Sequence, residues 1–259
     1  SWCLRAILYD GEVIALGACD RPPLGLAVDI GTTKLAGYLV ELESGHTLSK
    51  AGAMNPQIAF GEDVISRISY ADSKENGRQV LQERLVQALN DLVAVMCSEA
   101  GADPGQIVDA VIAGNTAMHH LFAGLPVAQL GAAPYVPAVS DPLELNAVHL
   151  GLNTAPGANV HLPANIAGYV GADHVAMLLA TGIPETQRTA LAVDIGTNTE
   201  ITLTVGGRMV ACSCASGPAF EGAHIRDGMR AAPGAIERVQ IAGQEVRIQT
   251  IGEQPAVGI

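Results

Sequence analysis

One heptapeptide, Leu-Ala-Val-Asp-Ile-Gly-Thr, occurs twice in this chain, at residues 26–32 and again at residues 191–197. In each copy an apolar run typical of a buried strand ends in Asp and a Gly-Thr turn, and a second strand-like run follows. A turn of this kind exposes consecutive backbone N–H groups, and such a nest binds phosphate oxygens. The repeat therefore predicts an α/β protein with two related halves, both of which contact one polyphosphate.

The charge and composition narrow the classes of ligand and partner. The net charge is −12, whereas a nucleic-acid-binding surface would be basic. Because the overall field repels anions, a phosphate ligand must be held by local backbone dipoles and a cation. No apolar run approaches the roughly 18 residues that a membrane span requires, and no secretory signal pattern is present. We therefore expect neither a nucleic-acid partner nor a membrane partner.

The five cysteines are scattered and odd in number. This pattern fits a reducing cytoplasm better than a disulfide framework, so we predict a cytoplasmic protein with unpaired thiols. Cys212 and Cys214 form the single close pair in the sequence. In a strand both would lie on one face, and packing is favoured over a metal or redox role.

Periodicity and turn residues predict three segments. Residues 1–23 resemble a linker tail from an upstream domain, residues 24–185 a first subdomain, and residues 186–259 a second subdomain that is incomplete at its carboxyl end. The expected strands are 4–8, 13–16, 25–30, 35–42, 47–53, 107–113, three within 190–215, 236–241 and 245–251. The expected helices are 75–99, 117–122, 174–180 and 219–229, with a helical period starting near residue 64. Residues 123–165 are rich in Pro, Gly and Ala, and the single element expected there is a strand near Val160.

The first repeat continues to Lys34 and offers several groups for a phosphate. Gly31 permits close backbone approach and a positive φ, and the hydroxyls of Thr32 and Thr33 add donors. Asp29, at the strand end, is a candidate ligand for Mg²⁺, the usual partner of a polyphosphate. Lys34 either contacts a phosphate or is a solvated strand residue. A single copy would also fit a plain hairpin turn capped by its Asp, but the repetition favours phosphate binding.

The second repeat offers an equivalent set of groups, namely Asp194 for Mg²⁺ and Gly196, Thr197 and Asn198 for phosphate. Glu200 either orients water or metal, or it is an ordinary exposed carboxylate on a strand. Asp173 precedes a predicted helix, where it either caps the helix or serves as a general base facing a γ-phosphate.

Outside the repeats, the sequence constrains the roles of several polar residues less tightly. Glu221 and Arg230 follow the second repeat, and either could face the nucleotide. His119 and His120 are adjacent on a predicted helix, so their side chains point about 100° apart and chelate one ion poorly. We therefore favour packing or capping for the histidines, and we interpret Asn115 with Thr116 as a helix cap.

The paired loops resemble the fold shared by acetate and sugar kinases, heat-shock chaperone ATPases and actin. A narrower resemblance rests on longer strings, and these are similar to reductive activators of corrinoid proteins, iron–sulfur ATPases of the RACo and RamA type. The strings are Asn55-Pro56-Gln57, the run from Gly61 to Ile68, Gly114 to Leu121, Tyr169 to Asp173, and Gly217 to Ala223. The resemblance covers residues 24–259. It implies a duplicated actin-like (ribonuclease H-like) α/β fold with a nucleotide cleft between two related subdomains.

The resemblance also implies an activity: ATP-dependent reduction of Co(II) to Co(I) in a corrinoid protein or cobalamin-dependent methyltransferase. Thr32, Thr33, Thr197 and Asn198 would bind phosphates, Asp29 and Asp194 would hold Mg²⁺, and Asp173 or Glu200 would align water. Glu221 would contact the nucleotide. A homodimer is implied as well. The alternatives are a small-molecule kinase of the same superfamily and an ATP-responsive binding module without enzymatic activity.

Two parts of the family pattern do not occur in this sequence. The resemblance implies a [2Fe-2S] cluster in an N-terminal ferredoxin-like domain, or a C-terminal [4Fe-4S] region, but no Cys-x₄-Cys-x₂-Cys run is present. A Gly-rich adenosine loop would begin just after Ile259. Together with the absence of an initiator Met, this predicts a fragment of a longer protein. Thr199 stands where many relatives have Gly, which would alter the second loop slightly.

Overall fold

The structure, a computed structural model, describes residues 3–216, 226–229, 232–243 and 245–259. The chain divides into two compact units, Ser1–Pro184 and Glu185–Ile259. The predicted subdomain boundary and the assignment of residues 1–23 to an upstream domain remain predictions. Among the described helices, none combines the length and apolarity that a membrane crossing requires.

The first unit begins with an antiparallel hairpin, β1 (Leu4–Tyr9) and β2 (Glu12–Ala18). The hairpin pairs Leu4 with Ala18, which places Cys3 and Cys19 opposite each other with Cα atoms 5.6 Å apart, and a disulfide joins them. The prediction of unpaired thiols is therefore wrong for this pair, because it ignored the register of the hairpin. The thiols of Cys97, Cys212 and Cys214 are free. The cytoplasmic location stays a prediction.

A six-stranded sheet forms the centre of the first unit, in the order β5-β4-β3-β6-β8-β7. Its strands are β3 (Leu24–Ile30), β4 (Lys34–Glu41), β5 (Thr47–Met54), β6 (Ile107–Gly114), β7 (Leu143–Asn146) and β8 (Asn159–Leu162). β3 runs antiparallel to β4 and parallel to β6, and Ile30 pairs with Gly114. Because parallel strands end at the same edge of a sheet, the first Gly-Thr turn lies beside the residues that follow β6.

The helices of the first unit are α1 (Val64–Ser73), α2 (Gly77–Ala100), α3 (Thr116–Phe122), α4 (Ala147–Leu150) and α5 (Ala172–Ala180). α2 packs against β4 and β5 through an aliphatic face that includes Leu81, Leu85 and Leu89. It ends at Gly101, whose left-handed φ of 64° lets its N–H reach the last carbonyls of the helix. The strongly periodic elements were predicted closely. Residues 123–165 supply β7, β8 and α4. Of these, β8 confirms the strand predicted near Val160, whereas β7 and α4 were not predicted.

Ile68 and Ile65 on α1 provide a matched test of this core. The side chain of Ile68 is buried and that of Ile65 is exposed. Ile68→Val should lower the free energy of unfolding by about 0.5–1.5 kcal/mol, since it removes one buried methyl group. Ile65→Val should change it by less than about 0.5 kcal/mol. Urea denaturation of the two variants measures both values, and equal effects would contradict this packing.

The second unit contains two antiparallel sheets. The strands β9 (Ala190–Ile195), β10 (Asn198–Val205) and β11 (Arg208–Ala215) form the first, and β12 (Ile236–Ala242) and β13 (Glu245–Thr250) form the second. Gly206 and Gly207 both have positive φ, as the predicted hairpin turn requires.

The predicted helix over residues 219–229 lies mostly outside the described residues, which omit 217–225. Residues 226–229 are described, and they form a turn followed by irregular backbone. Asp227 has a φ of 59°, which a continuing right-handed helix does not allow. The prediction that the helix extends to Met229 is therefore wrong at this end.

Candidate functional site

The first Gly-Thr turn, residues 31–33, connects β3 to β4, and its carbonyl groups are held from the core side. The Nδ2 of Asn55 donates to the carbonyl of Gly31 at 2.9 Å, and the backbone N–H of Asn55 donates to the carbonyl of Thr33 at 2.9 Å. The guanidinium of Arg67 donates to the carbonyl of Thr32 at 2.5 Å. Three successive carbonyls of the turn therefore have fixed partners, which restrains its backbone.

Asn115 links the turn to the end of β6. Its Oδ1 accepts a hydrogen bond from the N–H of Met118 at 3.1 Å, so it caps α3 as predicted. Its Nδ2 donates to the hydroxyl of Thr32 at 3.0 Å. The hydroxyl of Thr116, which is fully buried, donates to the carbonyl of Ala167 at 2.7 Å. Asn115 and Thr116 thus join the turn to the segment that leads into α5.

Asp173 lies in the first turn of α5, one residue inside the helix rather than before it. Its Oδ1 accepts a hydrogen bond from the N–H of His174 at 2.8 Å. The preceding Gly171 touches Asn115 and Thr116 so closely that a Cβ atom on it would lie 2.5 Å from the Cα of Asn115. The structure therefore brings the start of α5 to the same edge of the sheet as the first turn.

Gly31 does not have the predicted positive φ, but it lies close to the backbone of Lys34. A Cβ atom on Gly31 would lie 2.5 Å from the carbonyl oxygen of Lys34, while its φ is outside the left-handed region. The predicted positive φ is therefore wrong, and steric closeness is what requires glycine. The side chains of Asp29 and Lys34 are both exposed at the two strand ends that flank the turn.

In the second repeat, Asp194 on β9 pairs directly with Glu200 on β10. The side chain of Glu200 is only 8% exposed, and it accepts a hydrogen bond from the hydroxyl of Ser213 at 2.8 Å. Burial raises the pKa of the Glu200 carboxyl, and the nearby charge of Asp194 raises it further. The alternative of an exposed strand carboxylate is therefore wrong, because β11 covers this side chain.

The buried carboxyl predicts a pH-dependent effect of Glu200→Gln. At neutral pH the wild-type chain must ionise Glu200 in a poorly solvated place, whereas the amide carries no charge. We expect the variant to have the higher melting temperature at neutral pH. The stability that wild type gains from a neutral Glu200 is complete below the unfolded pKa, about 4.5, and is lost as the pH rises through the folded value. The difference between the proteins should therefore vanish at acidic pH.

Thermal denaturation followed by circular dichroism across this pH range measures the difference. Glu185, whose side chain is exposed, provides the matched control. Glu185→Gln should leave the melting temperature unchanged at every pH. A Glu200→Gln variant that is less stable than wild type at neutral pH would contradict this account.

The remaining candidates do not join the described site. Glu221 and Arg230 lie outside the described residues. His119 and His120 are buried, their Nδ1 atoms lie 3.3 Å apart, and the Nε2 of His120 accepts from the N–H of Ala138 at 3.0 Å. Burial lowers the pKa of His119 to about 4, so its ring is neutral. The histidines therefore pack in the core, as we predicted.

Sequence reasoning did not assign a site role to Asn55 or Arg67, although both stand in the strings that carry the resemblance. A pattern in the sequence could have indicated Arg67. It lies between Val64 and Ile68 at helical spacing, and all three side chains are buried. A charged residue on an apolar helix face is rarely buried without a specific partner.

Comparison with known proteins assigns a family to both units. Residues 24–186 match the family described as the RACo middle region, and residues 188–259 match the C-terminal domain of RACo, the ASKHA domain. The chain is 36% identical over 239 residues to the corrinoid activation enzyme RamQ of Eubacterium limosum, covering 92% of this chain and 40% of RamQ. It is 28% identical over 235 residues to the [Co(II) methylated amine-specific corrinoid protein] reductase of Methanosarcina barkeri, covering 86% of this chain and 42% of that protein.

A solved structure agrees with these matches. The reductive activator for corrinoid, iron–sulfur protein superposes with a TM-score of 0.87 at 40% identity, covering 95% of this chain and 40% of that chain. The predicted α/β duplicated actin-like fold is thus confirmed. The chain spans about two fifths of the length of each of these relatives. It belongs to the RACo family, the reductive activators of corrinoid proteins.

Proposed function

We propose that this chain is the ATP-hydrolysing part of a protein that reduces Co(II) to Co(I) in a corrinoid protein. Family membership supports the reaction, since the relatives are named for corrinoid activation and Co(II) corrinoid reduction. The observation that carries the proposal is the anchored first turn. Its three carbonyls face the partners Asn55 and Arg67, which orders the backbone for an anion.

Each of the two repeats is proposed to bind phosphate oxygens of ATP. The contacting residues would be Gly31, Thr32, Thr33 and Lys34 in the first repeat and Gly196, Thr197 and Asn198 in the second, with Glu221 as a further nucleotide contact. Asp29 and Asp194 are proposed to hold Mg²⁺. Mg²⁺ keeps several waters and is usually bound by one or two carboxylates together with substrate phosphates. The exposed carboxylate of Asp29, beside the turn, fits such a site.

Asp173 and Glu200 are the proposed catalytic residues. Asp173 is favoured as the group that aligns water against the γ-phosphate, since its helix starts beside Asn115 and the first turn. The raised pKa of Glu200 makes its carboxyl a better proton acceptor near neutral pH than an ordinary Glu. Its hydrogen bond from Ser213 fixes its orientation.

ATP is proposed to supply the energy for an otherwise unfavourable electron transfer. Co(I) is strongly reducing, so a ferredoxin-type donor alone would transfer uphill. A preference of about 10⁴-fold for one cobalt state corresponds to about 5.5 kcal/mol, or roughly 240 mV for a one-electron couple. ATP binding and hydrolysis would then open and reset the complex. The electron source is proposed to be a [2Fe-2S] cluster elsewhere in the full-length protein, and the protein is proposed to be a cytoplasmic homodimer.

Absorbance spectroscopy of cobalt tests this proposal. Full-length protein containing this chain is mixed with a Co(II) corrinoid protein and a reductant. We expect the Co(I) spectrum to appear only when Mg-ATP is added, and Asp173→Asn to abolish it. Equal formation of Co(I) without ATP would contradict the proposal. Phosphorylation of an added hydroxyl or carboxylate compound would indicate a small-molecule kinase instead. Nucleotide binding, with corrinoid reduction unchanged in Asp173 and Glu200 variants, would indicate a non-enzymatic binding module.

A further inference from the structure

Arg67 places a fully buried guanidinium group behind the first turn. Its side chain is 0% exposed. Besides the carbonyl of Thr32, it donates through Nε to the carbonyl of Gly61 at 2.9 Å and through Nη1 to the Oε1 of Gln57 at 3.4 Å. All of these acceptors are formally neutral. The hydrogen bonds therefore satisfy the donors of the guanidinium without balancing its charge.

The described residues provide no counter-charge in contact with Arg67. The described salt bridges of the chain involve other residues. Asp63, one turn earlier on the chain, caps α1 by accepting from the N–H of Ser66 at 2.7 Å, and its charge stabilises the charged form of Arg67 without a salt bridge between them. Burial lowers the pKa of Arg67 to about 10, so the group remains charged at neutral pH. A buried charge without a salt bridge is costly and is rarely retained without a role.

The turn separates this charge from the side on which a phosphate would bind. Arg67 and Asn55 occupy the carbonyl side of residues 31–33, and Asn115 holds the hydroxyl of Thr32. A phosphate contacting the N–H groups of the turn would therefore lie on the opposite side of the turn from the guanidinium, separated from it by one layer of backbone. Because the guanidinium is buried, water screens its attraction for such a phosphate less than it would screen that of an exposed charge.

We propose that Arg67 is a positioning residue that holds the first turn in its phosphate-binding conformation and whose buried charge is balanced by the phosphate of the bound nucleotide. This inference rests on the proposed function, because it takes ATP as the ligand of the turn. It adds to that function a buried source of positive potential, besides the exposed Lys34. It also explains how a chain with a net charge of −12 attracts an anion locally.

Two variants separate the charge of Arg67 from its packing. Arg67→Met removes the charge and keeps much of the buried volume. Gln57→Glu keeps Arg67 and places a carboxylate against its Nη1, which supplies an internal counter-charge. Each variant should raise the Kd for Mg-ATP by about tenfold, or about 1.4 kcal/mol, since the phosphate then no longer faces an uncompensated positive charge.

Isothermal titration calorimetry of the full-length protein with Mg-ATP measures these values, and circular dichroism without nucleotide verifies the fold. Arg84→Gln is the matched control, since Arg84 is an exposed arginine on α2, and its Kd should equal that of wild type. If Arg67→Met does not fold, the Kd of the Gln57→Glu variant alone tests the inference. Folded variants with the wild-type Kd would overturn the inference and leave the proposed function intact. Wild-type protein that does not bind ATP would overturn both.

Discussion

Gly31→Ala should weaken Mg-ATP binding by about 100-fold, because it changes the backbone conformation of the first turn, which is the proposed phosphate-binding segment. An alanine Cβ would lie 2.5 Å from the carbonyl oxygen of Lys34, and that oxygen belongs to the backbone and cannot rotate away. The turn must therefore shift. Each charge-assisted hydrogen bond lost from the phosphate costs about 1.5–3 kcal/mol, and a single such loss approaches the stated factor. Titration calorimetry with the full-length protein measures the change.

Gly196→Ala is the matched variant in the second repeat. The heptapeptides are identical, but a Cβ on Gly196 would lie 3.1 Å from the carbonyl oxygen of Asn198, a contact that a small adjustment relieves. We therefore expect Gly196→Ala to lose clearly less affinity than Gly31→Ala. Equal losses, or a Gly31→Ala variant with the wild-type Kd, would contradict the account of the first turn.

Gly171→Ala should destabilise the first unit by about 3 kcal/mol, at the upper end of the cost of overpacking. Its Cβ would lie 2.5 Å from the Cα of Asn115 and 2.6 Å from the N of Thr116, both backbone atoms. The φ of Gly171 is −95°, which alanine also adopts, so the entire cost comes from the contact. Displacing Asn115 also removes its hydrogen bond to Thr32, so ATP affinity should fall in the same variant.

Urea denaturation measures the loss of stability. Gly17→Ala is the control, since Gly17 lies on β2 and a Cβ there has nothing within 4 Å. Its free energy of unfolding should stay within about 0.5 kcal/mol of wild type. If the Gly171→Ala variant is as stable as the Gly17→Ala variant, the start of α5 does not pack closely against the start of α3.

The elements that the sequence predicts well are those with a strong local pattern. Both heptapeptide strands, the hairpins that follow them and the long helix α2 have apolar residues at the spacing of their own secondary structure. In residues 123–165 the strand near Val160 was predicted, but β7 and α4 were not, because each has only four residues, too few for a period to show. The Cys3–Cys19 disulfide depends on the register of a hairpin, which cysteine counting does not reveal.

The sequence alone indicated the site residues within the repeats, but it did not indicate the residues that hold the first turn from the core side. Gly31 and Asp173 stand out by type and spacing, whereas Asn55 and Arg67 act through contacts with residues more than twenty positions away. Tertiary contacts also determine whether the side chain of Glu200 is buried. Its position on a strand left exposure and burial equally open, and Ser213 on β11 determines the outcome.

The rate of ATP hydrolysis by the full-length protein, with and without a Co(II) corrinoid partner, tests the central claim most directly. If this chain is the ATPase of a corrinoid activator, the rate rises when the Co(II) partner is added, and Asp173→Asn removes the response. An ATPase rate that is indifferent to the Co(II) partner would contradict the account.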